Sequence, residues 1–133
     1  MEEIRKFMID DHKKITKLLT SFKKNPSQKN LAPLKTNIKK HHSIEEKFIF
    51  KAFITANEIY DIFKLIKEHK QIQEIMNEIN KKLPEDCSKE IRELTSIHLG
   101  HMEYENQFLY PKLENLLDNK YKKQLFSKIK KNR

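Results

Sequence analysis

The chain has 133 residues and a formal net charge of +9, and it contains one glycine and four prolines. Lys, Glu, Ile and Leu are abundant while turn-forming residues are scarce, so the composition favours helices and argues against a β-sheet protein. The length fits one domain. We therefore expect residues 1–133 to form a single all-α domain, with a core of about residues 2–117 and a basic helix or tail over residues 119–133.

The positive charge is distributed along the whole chain, and only residues 120–133 form a dense basic run. We interpret it as a lysine-rich solvated surface and expect no nucleic-acid partner. Cys87 is the only cysteine, which excludes an internal disulfide. No stretch approaches the roughly 18 apolar residues of a membrane span, and the first residues form no apolar secretion segment. We expect a cytoplasmic protein without a membrane partner, and the composition leaves its oligomeric state open.

The first half of the chain predicts two helices. The first is indicated by apolar residues at helical spacing, and it ends at the turn-forming residues 25–27. The second begins near Asn30, tolerates Pro33 in its first turn, and ends at a turn near residues 55–58. The inward stripe of the first helix consists of Ile4, Met8, Ile15, Leu18, Leu19 and Phe22. The stripe of the second consists of Leu34, Ile38, His41, Glu45, Phe48 and Ala52.

The second half predicts two more long helices and a short one. The third helix covers about residues 59–83, and the fourth begins near residues 86–88. Pro111 is expected to kink or end the regular part of the fourth helix, and a short fifth helix is expected from about Asn119. Long helices with short connections predict an up-down-up-down four-helix bundle with a short C-terminal helix. The fourth helix carries its stripe on Ile91, Leu94, His98, His101, Glu105 and Phe108.

Each of the four long helices places histidine, glutamate or both within its apolar stripe. An unpaired buried carboxylate costs several kcal/mol, and several such groups together would exceed the roughly 5–15 kcal/mol stability of a small domain. These groups must therefore compensate one another, and a pair of metal ions between the helices would do so directly. The candidate ligands are His12, His41, Glu45, His69, His101 and Glu105.

Two helices repeat one motif, a histidine followed four residues later by a glutamate. The copies are His41-x-x-x-Glu45 and His101-x-x-x-Glu105, and an aromatic residue follows each glutamate at the same offset. Because a helix completes a turn in about 3.6 residues, each helix can give an imidazole to one ion and a carboxylate that bridges both. Ferritin-like Glu-x-x-His pairs do not occur, and structural zinc favours thiolates. An imidazole-rich set with two carboxylates suits iron best, with manganese or zinc possible.

These residues resemble the hemerythrin-like, or HHE cation-binding, family. Its members carry a histidine on the first helix, His-x-x-x-Glu on the second, a histidine on the third, and a histidine with a carboxylate on the fourth. The resemblance extends from about His12 to Pro111, and it implies two iron ions joined by carboxylates and an oxo or hydroxo bridge. It is carried by Asp11-His12, His41-His42-Ser43-Ile44-Glu45-Glu46, Glu68-His69, His101-Met102-Glu103-Tyr104-Glu105 and Phe108-Leu109-Tyr110-Pro111.

Two features depart from the oxygen-carrying members of that family. Those members have two histidines four apart on the third helix, whereas Gln73 occupies the second position here. Their fourth-helix carboxylate is an aspartate five residues after its histidine, whereas Glu105 lies four after. His42 or His98 could supply a replacement imidazole, or each could lie beside the ligands, in the pocket lining or at the surface. Each doublet of the second helix, His-His and Glu-Glu, offers two possible ligands, which correspond to two registers one residue apart. The apolar stripe favours the first residue of each doublet as the ligand.

Such a centre is compatible with more than one function. We expect reversible binding of dioxygen or nitric oxide for storage, transfer or sensing, in a pocket lined by Phe48 and Phe108. The alternatives are delivery of iron or repair of damaged iron centres, which the missing imidazole at Gln73 favours, and a peroxidase-like redox activity. Without a metal, the chain would be a basic helical interaction module with unexplained buried histidines. We therefore expect a metal- and gas-binding protein rather than an enzyme.

Overall fold

The computed structural model describes residues 3–59 and 61–132, and these residues form five helices and no strand. The prediction of an all-α bundle with a short C-terminal helix is confirmed. Consecutive helices are joined by short connections, so the four long helices alternate in direction. Three of the helices are uninterrupted α-helices: α1, Glu3–Lys24; α3, Ile62–Lys82; and α5, Asn119–Lys131. Helix α2 consists of Gln28–Ile44, Glu45–Ile49 and Phe50–Thr55. Helix α4 consists of Ser88–Tyr104, Glu105–Leu109 and Tyr110–Leu116.

The ends of the helices follow local chemistry. The side chains of Ser27 and Asp118 accept hydrogen bonds from backbone N–H groups in the first turns of α2 and α5, which satisfies donors that the helix itself leaves free. Between α2 and α3, Asn57 adopts a φ of 60°, in the left-handed region. This turn lies where the sequence predicts it, but α3 begins at Ile62, later than the predicted Ile59. No helix in the described part of the chain is long and apolar enough to span a membrane.

Two apolar clusters fill the bundle, and a layer of buried polar side chains separates them. On α1, Met8 belongs to one cluster and Ile15 to the other, and the buried His12 lies between them. On α2, Ile38 and Ile49 flank the polar layer in the same way. Close packing on both sides fixes the helices, so the polar side chains between the clusters are held in defined positions.

Helices α2 and α4 each contain one π-helical turn, which begins at the glutamate of the repeated motif. Such a turn inserts one residue and rotates the later side chains by about 100° relative to a continuous α-helix. The expectation that Phe48 and Phe108 line the inner pocket is therefore wrong. Phe108 is 59% exposed and Phe48 is only partly buried, while Ile49 and Leu109 point inward.

Helix α5 covers one end of the bundle. Its Leu125 and Ile129 are buried in the cluster that contains Met8, and the rings of Phe7 and Phe126 meet edge-on with centroids 5.9 Å apart. Helix α4 continues through Pro111, so this residue does not end it. We attribute this to the preceding π-helical turn, because its wider path displaces the carbonyl with which a proline ring would otherwise clash.

Candidate metal centre

The six side chains predicted as ligands meet in the buried polar layer. Both glutamates are fully buried, and the four histidines are at most 3% exposed. Their inward atoms form two groups, in each of which the candidate ligand atoms lie within 4.8 Å of one another. We call the group around His12 and His41 the first ligand group, and the group around His69 and His101 the second.

The carboxylate of Glu105 reaches both groups. Its Oε1 lies 3.0 Å from His12 Nε2, in the first ligand group. Its Oε2 lies 2.9 Å from His101 Nε2, in the second, and this buried oxygen accepts no hydrogen bond within the described part of the chain. A buried carboxylate oxygen without a hydrogen-bond donor is costly, and a positive charge beside it, on His101 itself or on a cation bound between the two groups, would offset that cost.

The carboxylate of Glu45 has the same relation to the two groups. Its Oε1 lies 2.9 Å from His69 Nε2, and its Oε2 lies 3.6 Å from His41 Nε2. The hydroxyl of the buried Tyr110 donates a hydrogen bond to Oε2 at 2.7 Å, which holds the carboxylate in this orientation. Each glutamate thus directs one oxygen to each ligand group, which is the arrangement that a carboxylate bridging two ions requires.

The spacing of donors in the second ligand group is that of ligands around one ion. The Nε2 atoms of His69 and His101 lie 3.0 Å apart, and each lies 2.9 Å from a glutamate oxygen. Two donors bound at about 2.1 Å and at right angles to each other are themselves about 3.0 Å apart. The imidazoles and carboxylates therefore fit a metal ion.

Each of the four histidines uses its outer nitrogen, Nδ1, for a hydrogen bond to a side-chain oxygen on a neighbouring helix. The contacts form a closed ring from α1 to α2, α3, α4 and back to α1. Because each partner oxygen accepts, each Nδ1 donates its proton and each Nε2 faces the centre, as metal binding requires. The contacts join His41 to Asp11 at 2.7 Å, His69 to Glu46 at 2.8 Å, His101 to Glu68 at 2.8 Å, and His12 to Asn106 at 2.7 Å.

These outer partners were not predicted from the sequence. Asp11, Glu46, Glu68 and Asn106 lie outside the inward stripes, and a search for buried positions passes over them. A signal was nevertheless present, since each partner directly precedes or follows a candidate ligand in the sequence. A side chain next to a ligand is rotated by about 100° around its helix, which directs it to the histidine of the adjacent helix.

Charge pairing controls the ionisation of the centre. Burial alone would lower the pKa of His101, but the Glu105 carboxylate raises it to about 12. Burial also acts against a charge on His41, yet Glu45 and Asp11 raise its pKa well above the ordinary value. Burial by itself would raise the pKa of Glu45, but the charge of His41 and hydrogen bonds with Glu105 and His101 hold it well below the usual range. The carboxylates are therefore ionised, as ligands must be, while the raised pKa values leave protons on His41 and His101 that a metal ion would displace.

The two ligand groups differ in their aromatic neighbour. The Tyr110 hydroxyl lies 3.2 Å from His12 Nε2 and 3.4 Å from His41 Nε2, in the first group. At the equivalent offset on α2, the Phe50 ring stacks on His69, in the second group, with centroids 5.2 Å apart. The first group therefore has a hydroxyl beside it where the second has only hydrocarbon.

His42 is buried beside the second ligand group and is 5% exposed, so it does not lie at the surface. One of its nitrogens belongs to that group by distance, but its ring stacks on His69 with centroids 3.6 Å apart and planes within 7°. A ring nitrogen binds a metal in the plane of its ring, so two parallel rings cannot bind one ion unless one of them turns. Burial, followed by the proximity of His69, holds the pKa of His42 well below its ordinary value, which keeps the imidazole neutral.

His98 is buried one turn before His101 and belongs to neither ligand group. Both of its ring nitrogens lack a hydrogen-bond partner among the described residues. Burial lowers the pKa of His98 to about 3, and the neighbouring His12 and His101 add to this effect. His98 is therefore a neutral buried imidazole near His12 and His101.

A groove between α2 and α3 opens the second ligand group to the surface. We call it the α2–α3 groove, and it has a volume of about 550 Å³. Its inner wall includes the buried His42 and His69, together with Glu46 and Gln73. Its outer wall carries the lysines Lys35, Lys39, Lys47 and Lys70. A small molecule could thus reach the second ligand group without passing through either apolar cluster.

The donor side chains and a comparison with known families both indicate a metal-binding protein. Clustered imidazoles and carboxylates on four helices mark a metal-binding protein. No curated protein and no solved structure matched the chain. Residues 3–113 match the profile of the Hemerythrin HHE cation binding domain, which covers most of the 133 residues and all six predicted ligands. The chain therefore belongs to the hemerythrin HHE cation-binding domain family.

Proposed function

We propose that the chain holds two iron ions, one at each ligand group, and binds dioxygen or nitric oxide there for storage, transfer or sensing. The observation that carries this proposal is the sharing of two buried carboxylates, each with one oxygen directed to each group. His12 and His41 would hold one ion and His69 and His101 the other, with Glu45 and Glu105 between them. When bound, the ions supply reversible electron transfer to the small gas molecule.

The protein contributes position, charge and exclusion of water. The outer partners hold each imidazole in one orientation, and Tyr110 orients Glu45. The two apolar clusters close the polar layer from above and below, so bulk water does not enter along the bundle axis. The α2–α3 groove provides the access that a diatomic molecule needs. Imidazole and carboxylate ligands suit iron, and manganese and zinc are the alternatives.

Optical spectra of the iron-loaded protein test this function. Protein reconstituted with ferrous iron without oxygen should gain a ligand-to-metal absorption band when dioxygen is added and lose it when dioxygen is removed, over repeated cycles. The same protein should give a distinct spectrum with nitric oxide. A sample carried through the procedure without iron is the control. A spectrum that does not respond to either gas, or that changes once and does not return, contradicts reversible gas binding.

The opening beside the second ligand group favours iron delivery as a second candidate function. The residue that stands in place of a further third-helix imidazole, Gln73, lines the α2–α3 groove next to His69. An ion held by fewer imidazoles and close to solvent can leave more readily. Under this alternative, iron should pass from the protein to an acceptor chelator within minutes, with no stable gas adduct. Retention of both ions against the acceptor, together with a reversible adduct, argues for gas binding instead.

A further inference from the structure

We propose that the α2–α3 groove binds a small multivalent oxyanion, held by the ammonium groups of Lys39, Lys47 and Lys70 and by the ring N–H of His42. The groove and its charges are properties of the protein itself. Only the further statement that the anion lies beside a metal ion rests on the proposed function.

The lysines of the groove carry positive charge that no ion pair among the described residues neutralises. Lys39, Lys47 and Lys70 are exposed and form no ion pair with another described residue. Lys35 donates a hydrogen bond to the neutral side-chain oxygen of Asn77 at 2.8 Å, so it also keeps its charge. The one carboxylate in the groove, Glu46, accepts a hydrogen bond from His69 at 2.8 Å. The groove is therefore strongly positive, and an anion of more than one charge would be its matching ligand.

His42 distinguishes this groove from the rest of a lysine-rich surface. It is 5% exposed, and neither of its ring nitrogens makes a hydrogen bond with a described residue. The ring forms part of the inner wall of the groove, so a ligand there could provide the missing hydrogen-bond partner. Its imidazole has an N–H that can donate to an oxyanion, and because the ring is stacked on His69, it would have to turn before both residues could bind one ion.

The size and position of the groove fit the same ligand. A volume of about 550 Å³ is many times the roughly 30 Å³ of one water molecule, so an oxyanion can enter with part of its hydration. The hydroxyl of Ser43 and the amide of Gln73 supply neutral donors between the lysines. Because His69 shares the inner wall, a bound anion would lie next to the second ligand group.

Calorimetric titration of the iron-loaded full chain with inorganic phosphate tests the proposal. In the variant Lys39→Gln/Lys47→Gln/Lys70→Gln, we expect phosphate binding to weaken by about tenfold or more, since charge-assisted hydrogen bonds are lost. The matched control Lys120→Gln/Lys128→Gln/Lys131→Gln removes the same charge from exposed positions on α5, and its affinity should stay within about twofold of the native chain. His42→Phe keeps an aromatic ring on His69 but has no N–H, and it should weaken binding with the lysines intact.

The outcomes separate this proposal from the proposed function. Equal weakening in the two triple variants would show general charge attraction and would overturn the groove as a site, as would an unchanged affinity in His42→Phe. Melting curves of each variant check that it remains folded. Iron content is measured on the same samples. Iron-loaded protein that binds no phosphate refutes only the groove, whereas lysine-dependent phosphate binding by protein that takes up no iron refutes only the metal proposal.

Discussion

The two ligand groups have the same plan and differ in their contact with solvent. In the first group, the outer partner of His41 is Asp11, which is 4% exposed. In the second group, the outer partner of His69 is Glu46, whose side chain is 46% exposed, and the α2–α3 groove runs beside it. The first ligand group is thus enclosed, whereas the second adjoins solvent, and an ion in the second group would exchange more readily.

The groups also differ in the chemistry of their outer partners. Three of the four histidines donate to a carboxylate, but His12 donates to the neutral side-chain oxygen of Asn106. A carboxylate partner makes an imidazole a stronger ligand than an amide does. The enclosed first group therefore has one weaker outer contact, and the Tyr110 hydroxyl lies next to it. On the proposed two-ion centre, this group would retain its ion through enclosure more than through ligand strength.

Metal removal should produce the largest effect. A chelator should remove the ion of the second ligand group first and that of the first group later, so metal loss should follow two phases. Loss of both ions should lower the free energy of unfolding by about 4 kcal/mol or more, since ions present far above their dissociation constants stabilise the fold by mass action. Iron content and thermal melting, followed together, measure this. A single phase of loss, or an unchanged melting temperature, contradicts a buried centre with unequal halves.

The next largest effect is the difference in metal loss between a residue that contacts both ligand groups and a residue that contacts only one. Glu45→Ala removes a carboxylate that reaches both groups, so it should empty both positions. Glu46→Ala removes only the outer contact to His69, and it should weaken the second position by about 10–100-fold while the first stays filled. Iron analysis at a fixed metal concentration compares the two. If Glu46→Ala empties the centre while Glu45→Ala leaves it filled, the register of α2 at the site is shifted by one residue.

A smaller change would make the two groups alike in their aromatic neighbour. Tyr110→Phe removes the hydroxyl that donates to Glu45, leaving phenylalanine at both equivalent positions. The free energy of unfolding should fall by about 1–3 kcal/mol, because a buried oxygen loses its donor. Chemical denaturation measures the change, and Tyr121→Phe, at an exposed tyrosine, is the control. Equal stability of both variants would show that the Tyr110 hydroxyl does not support the centre.

The smallest effect tests the difference between the outer partners. Asn106→Asp would give His12 a carboxylate partner like those of the other three histidines. The affinity of the first position should rise by about tenfold, the lower end of the range for such contacts. A competition titration against a chelator of known affinity measures it. Weaker binding in Asn106→Asp would mean that added negative charge, rather than imidazole basicity, controls this position.

The sequence identified the parts of the centre that share the helical period with the core. His12 lies between Met8 and Ile15 at the spacing of one helix face, and the structure places all three inward. The same reasoning failed at Phe48 and Phe108, because it assumed an unbroken period of about 3.6 residues. A π-helical turn begins at Glu45 and another at Glu105, and each changes that period.

The surroundings of the ligands could be predicted less well. His42 is rotated about 100° from the inward stripe of α2, and its burial depends on the position of α3, which brings His69 against it. The partners Asp11 and Glu68 likewise contact histidines of other helices. Such contacts depend on which helix lies next to which, and a one-dimensional pattern does not contain that information.

The central claim is that the two ligand groups hold two metal ions that share Glu45 and Glu105. The most direct test is the iron content per chain after reconstitution without oxygen, measured for the native chain and for His12→Ala and His69→Ala. We predict about two ions in the native chain and about one in each variant, because each substitution removes a ligand from only one group. No more than trace iron in the native chain would contradict the claim.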